Sequence, residues 1–123
     1  MTTTFLVALG GSAGAVSRFV LDGHIRARFG QNFPWATIII NVSGSFLLGV
    51  ISGVLLRHHG LATISAILGA GFCGGYTTFS TASFETVRLM EEYRLTAAIF
   101  NTFGTLFLTL SSAGLGIALA HLL

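Results

Sequence analysis

The sequence predicts an all-α membrane protein, and its composition, its apolar segments and their pattern each favour this class. The 123 residues are 53% hydrophobic and only 8% charged, whereas a soluble domain carries about 25% charged residues. The apolar residues form four segments, each long enough for the roughly 20 residues that cross a bilayer as a helix. Strands of a membrane barrel would instead alternate over about 10 residues. A helical bundle is therefore predicted.

The four predicted spans divide the chain in order. They run from Thr4 to Leu21, Trp35 to Leu56, Leu61 to Leu89 and Leu95 to Leu122. The first ends in the polar patch DGHIRARFGQN, which begins at Asp22 and is expected to be a loop. The length suits a single domain of residues 1–123. The N-terminus MTTTFLVALGG lacks the positive region of a signal peptide, so it is interpreted as the start of the first span.

Short loops make neighbouring spans antiparallel, and the charges in these loops indicate the orientation only weakly. Arg26, Arg28 and Arg94 stand on one side of the membrane against Arg57 on the other. The positive-inside rule then places both termini outside. The charge difference is small, so insertion of the chain in both orientations stays open.

Small residues recur at GxxxG spacing, which lets helix backbones approach closely in lipid. The pairs are Gly10 and Gly14, Gly49 and Gly53, and Gly71 and Gly75. Helix packing is the favoured interpretation of these glycines. Because four short helices enclose little volume, a polar pathway would form more easily between two copies of the chain than inside one.

Charged and catalytic patterns exclude several classes of protein. The chain has six arginines and no lysine, and the arginines are scattered, so a nucleic-acid partner has no electrostatic footprint. The single cysteine, Cys73, excludes an intrachain disulfide and a cysteine-rich metal site. No paired carboxylates, HExxH motif or Ser–His–Asp set is present. An enzyme is therefore not expected, and a route for a small solute is favoured.

Several polar residues lie inside the predicted spans. Ser and Thr can bond a carbonyl of their own helix, but the amides of Asn41 and Asn101 are harder to satisfy. Asn41, in TIIINVSGS, is either a contact between helices or part of a site, and both interpretations stay open. Arg18 and Glu85 lie near span ends, where they are expected to extend to the interface.

The stretch GFCGGYTTFSTASFE, residues 71–85, predicts a break in the third span. Each residue of the Gly74–Gly75 pair weakens a helix by about 1 kcal/mol relative to Ala. A broken helix in lipid must be buried in protein or line a water-filled cavity, where freed carbonyls can coordinate a cation. The positive edge of the Phe79 ring and the nearby hydroxyls suit a small anion. A simple kink without a ligand is the alternative.

Three motifs resemble the signatures of the Fluc fluoride channels, also called the CrcB family. They are GGSAGAVSRF at 10–19, ATIIINVSGSFLLG at 36–49 and GFCGGYTTFSTAS at 71–83, and the resemblance extends over the whole chain. It implies a passive, fluoride-selective channel that exports fluoride across the inner or plasma membrane. It also implies an antiparallel, dual-topology homodimer, embedded in lipid, with two pores at the interface.

The resemblance implies a role for individual residues. It places the fluoride pathway at Asn41, Phe79, Ser80, Thr81, Thr105 and Thr109, with Arg18 at the pore entrance. It also implies a structural sodium ion at the dimer centre, held by the backbone carbonyls of Gly74 and Thr77. One departure from the family pattern is important: Ala82 stands where many members have a second Phe. Ala36 also departs from the common pattern before the second motif, and this change is expected to be harmless.

Two other functions are weighed against the channel. A small multidrug-type cation/proton antiporter is also a short four-helix protein, but it needs a carboxylate deep in its first span. None lies between Thr4 and Leu21. A membrane assembly factor without transport is the third, and it predicts that Asn41 and residues 74–81 tolerate substitution.

Overall fold

Four helical spans account for nearly the whole chain in the computed structural model, which describes all of residues 1–123. The spans are Thr2–Phe29, Trp35–Arg57, His59–Glu91 and Leu95–Leu122, each long and apolar enough to cross a membrane. The prediction of an all-α membrane protein with four spans is confirmed. The chain is a multi-pass membrane protein.

The first helix extends further than the sequence suggested, so the expectation of a loop from Asp22 onward is wrong. Asp22 accepts a hydrogen bond from Arg26 at 2.8 Å, one turn later, which supports helix through the polar patch. The helix ends at Gly30, whose φ of 77° favours glycine. At 1.5 Å per residue the helix is about 42 Å long, so its charged end extends past a hydrocarbon core of about 30 Å.

The third and fourth spans are not uniform helices. The third comprises a 3₁₀ turn His59–Leu61, an α-helix Ala62–Ser65, a π-helix Ala66–Cys73, an α-helix Gly74–Tyr76, non-helical residues 77–79 and an α-helix Ser80–Glu91. The fourth comprises α-helices Leu95–Ile99 and Thr105–Leu122 around a π-helix Phe100–Gly104. Wide π turns of this kind occur frequently at functional sites.

Glycines bring the backbones of the spans together in two places. The first span packs on the first half of the third, and the second span packs along the fourth. A Cβ atom on Gly14 would meet the backbone of Phe72, and one on Gly49 would meet the backbone of Ala113, each at under 3.0 Å. Because only glycine fits such contacts, the prediction that the GxxxG pairs serve packing is confirmed.

Most apolar side chains face outward. Only 21 of the 123 residues are buried, and large side chains such as Phe19, Phe107 and Leu110 are exposed. A water-soluble protein does not expose apolar surface on this scale. This surface therefore suits lipid tails or a second protein chain.

Candidate functional site

A polar groove lies beside the interruption of the third span, between the second, third and fourth spans, with a volume of about 690 Å³. Ten of its 16 lining residues carry a hydroxyl or an amide: Asn41 and Ser45 from the second span, Thr77, Thr78, Ser83 and Thr86 from the third, and Asn101, Thr102, Thr105 and Thr109 from the fourth. No charged side chain lines it. We call this feature the polar groove.

The interruption itself is a local change of backbone conformation. Helical geometry ends at Tyr76, Thr77 is extended with φ −81° and ψ 161°, and helix resumes at Ser80. The hydroxyl and the N–H of Thr77 both donate to the carbonyl of Cys73, at 2.8 and 2.9 Å. Thr77 thus closes the last turn of one helical segment, and the backbone can then depart from helix.

Asn41 bridges the interruption from the second span. Its Nδ2 donates to the carbonyl oxygen of Thr78 at 2.8 Å, and its Oδ1 accepts the N–H of Thr78 at 2.8 Å. The side-chain amide therefore pairs with the backbone as a second peptide group would. Asn41 is only 9% exposed, so these bonds satisfy polar groups that lipid could not.

Thr78 also begins the next helix. Its hydroxyl oxygen accepts the N–H of Thr81 at 3.2 Å, as a helix-capping side chain does. The same hydroxyl donates to the Thr81 Oγ1 at 3.1 Å and lies 3.4 Å from the Ser80 Oγ. Because the Thr81 hydroxyl accepts the Thr78 proton, its own proton remains free to donate to a ligand.

Phe79 sits at the edge of the polar groove with its ring open to the surroundings. The side chain is 87% exposed, and it lines the groove together with Ala82, three residues later. The small Ala82 side chain leaves the neighbouring part of the wall without a ring. The groove therefore has a single aromatic side chain along this helix face.

A second set of polar groups runs along the fourth span. Asn101, which is 3% exposed, donates from Nδ2 to the Thr86 Oγ1 at 2.8 Å. The Thr105 hydroxyl lies 3.5 Å from the Asn101 Oδ1, and the Thr109 hydroxyl donates to the Thr105 carbonyl at 2.8 Å. The wall of the groove that the fourth span forms is therefore lined by amide and hydroxyl groups.

Arg18 approaches the interruption from the first span. Its Nη1 donates to the carbonyl oxygen of Thr77 at 3.2 Å, and the side chain is half-buried. The residue lies in the middle of the helix Thr2–Phe29 rather than near its end. Its guanidinium therefore places a positive charge beside the break instead of extending to the interface.

Glu85 is buried rather than extended to the interface, so that expectation is wrong. Its carboxylate is 3% exposed and accepts hydrogen bonds from Thr37 Oγ1 and, at 3.5 Å, from Arg26 Nη2. The hydroxyl and the cation offset the penalty of burying the charge. The first helix reaches this carboxylate because it continues through Arg26.

Comparison with known sequences identifies the family. The family described as "CrcB-like protein, Camphor Resistance (CrcB)" matches residues 5–117. The chain belongs to the CrcB family. The resemblance of the three sequence motifs to this family is thereby confirmed.

Individual relatives of this CrcB chain carry a more specific name. It is 50% identical over 116 residues, 94% of the chain and 85% of the relative, to "Fluoride-specific ion channel FluC 1" of Leifsonia xyli. It is 43% identical to "Fluoride-specific ion channel FluC 2" of Cutibacterium acnes, over 95% of the chain and 96% of that protein. The FluC protein of Methylococcus capsulatus is 42% identical over 95% of the chain, which spans 52% of that relative's length.

The structure of the CrcB chain brings most of the predicted site residues to one place. Asn41, Thr77, Phe79, Thr105 and Thr109 line the polar groove. Ser80 and Thr81 lie next to it at the start of the helix Ser80–Glu91, whereas Arg18 and Gly74 lie outside its lining.

Several polar residues of the groove received no role from the sequence, and Thr86 and Asn101 are two of them. Thr86 lies beyond the recognisable third motif, and Asn101 is an intramembrane amide without a motif around it. The only available signal was the presence of an amide in the fourth apolar segment, which sequence reasoning noted and did not place.

Proposed function

We propose that this chain is a fluoride-selective, passive ion channel of the plasma membrane, which exports fluoride and lowers its concentration in the cytoplasm. The observation that carries the proposal is an uncharged groove of hydroxyls and amides in a membrane protein whose relatives are named fluoride-specific ion channels. A channel of this kind performs no covalent chemistry, so the protein is not an enzyme.

Neutral donors suit the passage of an anion. The proposed pathway follows Asn41, Phe79, Ser80 and Thr81 on one wall and Thr105 and Thr109 on the other. Amide N–H groups, hydroxyls and the edge of an aromatic ring can replace water around fluoride. Because none of these groups carries a full charge, they bind an anion weakly enough to release it, as conduction requires. Arg18 is proposed to attract anions toward the entrance.

The pathway is proposed to form in an antiparallel, dual-topology homodimer. The groove is open on one side in the single chain, where Phe79 is 87% exposed and Gly74 is exposed. A second copy laid against this face would close two grooves, giving two pores. The exposed apolar surface that the partner does not cover would contact lipid.

A structural sodium ion is proposed at the dimer centre, held by the backbone carbonyls of Gly74 and Thr77. The chain fits such an ion in part. The Gly74 carbonyl oxygen accepts no hydrogen bond and lies at an exposed position, while the Thr77 oxygen has one lone pair engaged by Arg18. Carbonyl oxygens are hard ligands that suit a hard cation. When bound, the ion would supply positive charge that offsets the charge of nearby anions.

The antiporter alternative receives no support from the structure. The first helix is longer than the sequence suggested and contains one carboxylate, Asp22. That carboxylate is bound by Arg26 at 2.8 Å near the helix end. An exchanger of cations for protons needs an acidic group that is free to bind both in turn.

The experiment that tests the proposal is efflux of fluoride from liposomes that contain the purified protein. We expect rapid fluoride release when a potassium ionophore balances the charge, and no chloride release under the same conditions. Equal chloride efflux, or no fluoride efflux, would reject the channel. Flux that depends on an imposed proton gradient would favour an antiporter instead. Protein-free liposomes are the control.

A further inference from the structure

Asn41 makes both of its observed hydrogen bonds to the backbone of a single residue in another span. The Oδ1 accepts the Thr78 N–H and the Nδ2 donates to the Thr78 carbonyl, each at 2.8 Å. An amide that served only as an anion donor would need neither contact. The pairing leaves one Nδ2 hydrogen for a ligand in the groove, because a side-chain amide has two.

The bond to the Thr78 N–H changes the backbone of the third span. In a continuous α-helix, each N–H donates to the carbonyl four residues earlier, so Thr78 would donate to Gly74. Here the Asn41 Oδ1 takes that donor, and no other group donates to the Gly74 oxygen. The preceding bond of the helix, from Thr77 to Cys73, is present at 2.9 Å. The hydrogen-bond pattern of the α-helix is therefore interrupted at the Gly74 carbonyl, to which the Thr78 N–H would otherwise donate.

We propose that Asn41 is a positioning residue for a cation site, because it withdraws the Thr78 N–H and so keeps the Gly74 carbonyl oxygen free to bind a cation. This role rests on the proposed sodium site. It links the two sites of the molecule, since one amide both lines the anion groove and exposes the oxygen that would hold the cation. A residue that contacted only fluoride would have no effect on that oxygen.

Two substitutions test whether the acceptor oxygen of Asn41, and no other part of its side chain, keeps the Gly74 carbonyl free. Asn41→Asp keeps an oxygen that can accept the Thr78 N–H, whereas Asn41→Leu removes it. In the Leu variant the Thr78 N–H is expected to return to the Gly74 carbonyl, and a hydrogen-bonded carbonyl is a poorer cation ligand. Where Asn41→Leu does not fold, Asn41→Ala removes the same acceptor with less bulk.

Carbonyl NMR of the full-length protein measures this directly. When all glycines carry ¹³C at the carbonyl and ¹⁵N at the amide, a ¹³C carbonyl is bonded directly to a ¹⁵N only where two glycines are adjacent. These places are Gly74–Gly75 and Gly10–Gly11, and the second serves as an internal reference. Sodium chloride is compared with N-methylglucamine chloride at the same ionic strength. We expect the Gly74 carbonyl to shift with sodium in the natural protein and in Asn41→Asp, and to lose that shift in Asn41→Leu.

A backbone substitution should restore the sodium-dependent shift of the Gly74 carbonyl in the Asn41→Leu variant. Replacing the Thr78 amide by an ester in the Asn41→Leu variant removes the N–H that would reach Gly74. The sodium-dependent shift should therefore return, although Asn41 is still absent. A purely structural role for Asn41 would not produce this recovery.

The possible failures can be told apart. A sodium shift in Asn41→Leu equal to that of the natural protein would overturn the positioning role alone. So would an ester form of Asn41→Leu whose shift stays below that of the same ester in the otherwise natural protein, because both carry the same altered Thr77 carbonyl. A natural protein whose Gly74 carbonyl ignores sodium would overturn the cation site and this role together. Fluoride efflux from liposomes would in that case still report on the channel.

Discussion

Two regions of the molecule lie beside the interruption of the third span and are built in opposite ways. On one side, the first span packs on the start of the third through Gly10, Gly14, Gly71 and Gly75, with backbone against backbone. We call this contact the glycine seam. On the other side, the polar groove keeps a volume of about 690 Å³ between side chains.

The difference shows that adjacent residues of one type can have unrelated roles. A Cβ on Gly75 would lie under 3.0 Å from the backbone of Gly11, whereas a Cβ on Gly74 would meet nothing within 4 Å. The second glycine is thus required for helix contact. The first sits at an open face, where its proposed role depends on its carbonyl rather than on its missing side chain.

The largest expected effect is on the glycine seam. Gly75→Ala should destabilise the folded chain by about 1–3 kcal/mol, because the added methyl overpacks a contact in which only backbone could move. Denaturant unfolding of the purified protein in detergent measures this. Gly114→Ala is the matched control, since its Cβ would meet nothing within 4 Å. Equal stability of the two variants would show that the seam is not tight.

The next largest effect concerns the polar groove, where a substitution should lower fluoride efflux by more than its loss of folding stability explains. Asn101→Leu removes the donor to Thr86 and the polar group beside Thr105, so fluoride efflux should fall about tenfold, equivalent to about 1.4 kcal/mol of barrier. The lost hydrogen bond should cost about 1 kcal/mol of stability. Both are measured on the same protein preparation, by liposome efflux and by unfolding.

Ser112→Ala is the control for that comparison. Ser112 is buried in the same span and donates to the Val42 carbonyl at 2.8 Å, but it does not line the groove. It should lose similar stability and keep its flux. If both variants lose flux equally, the effect of Asn101 comes from packing of the fourth span and not from the groove.

The contrast between the two regions also explains what the sequence could predict. The spans and their glycine contacts follow from composition and from spacing, which are properties of neighbouring residues. The end of the first helix does not, because an Asp22–Arg26 pair supports helix in a patch whose polarity favours a loop. Motif resemblance placed Asn41 in the site, but its two bonds to Thr78 depend on a contact 37 residues away.

The π-helical segments could not be predicted from the sequence. The segment Phe100–Gly104 carries Asn101, which contacts Thr86 on the third span. A wider turn rotates the residues that follow it relative to a regular α-helix. No residue type in FNTFG signals this turn, so the wall formed by the fourth span could not be assembled from helical spacing alone.

The smallest expected effect concerns Ala82, the one position of the third motif that departs from the family pattern. Residues 79 and 82 are three apart and lie on the same side of the groove. Ala82→Phe would therefore add a second ring beside Phe79, in open space. Stability should change by no more than about 0.5 kcal/mol, as for substitutions outside the packed core. Fluoride efflux should be retained, with chloride still excluded.

Ala82→Leu distinguishes the two ways in which that ring could act. Leucine adds comparable bulk without an aromatic ring, so it should narrow the groove. If the positive edge of the ring favours the anion, efflux should be slower in Ala82→Leu than in Ala82→Phe. If the Phe and Leu variants conduct equally well, this wall contributes only volume, and Phe79 is the sole aromatic contact of each pore. If both block efflux, the anion path passes directly over Ala82, and the open wall there is a requirement of this chain.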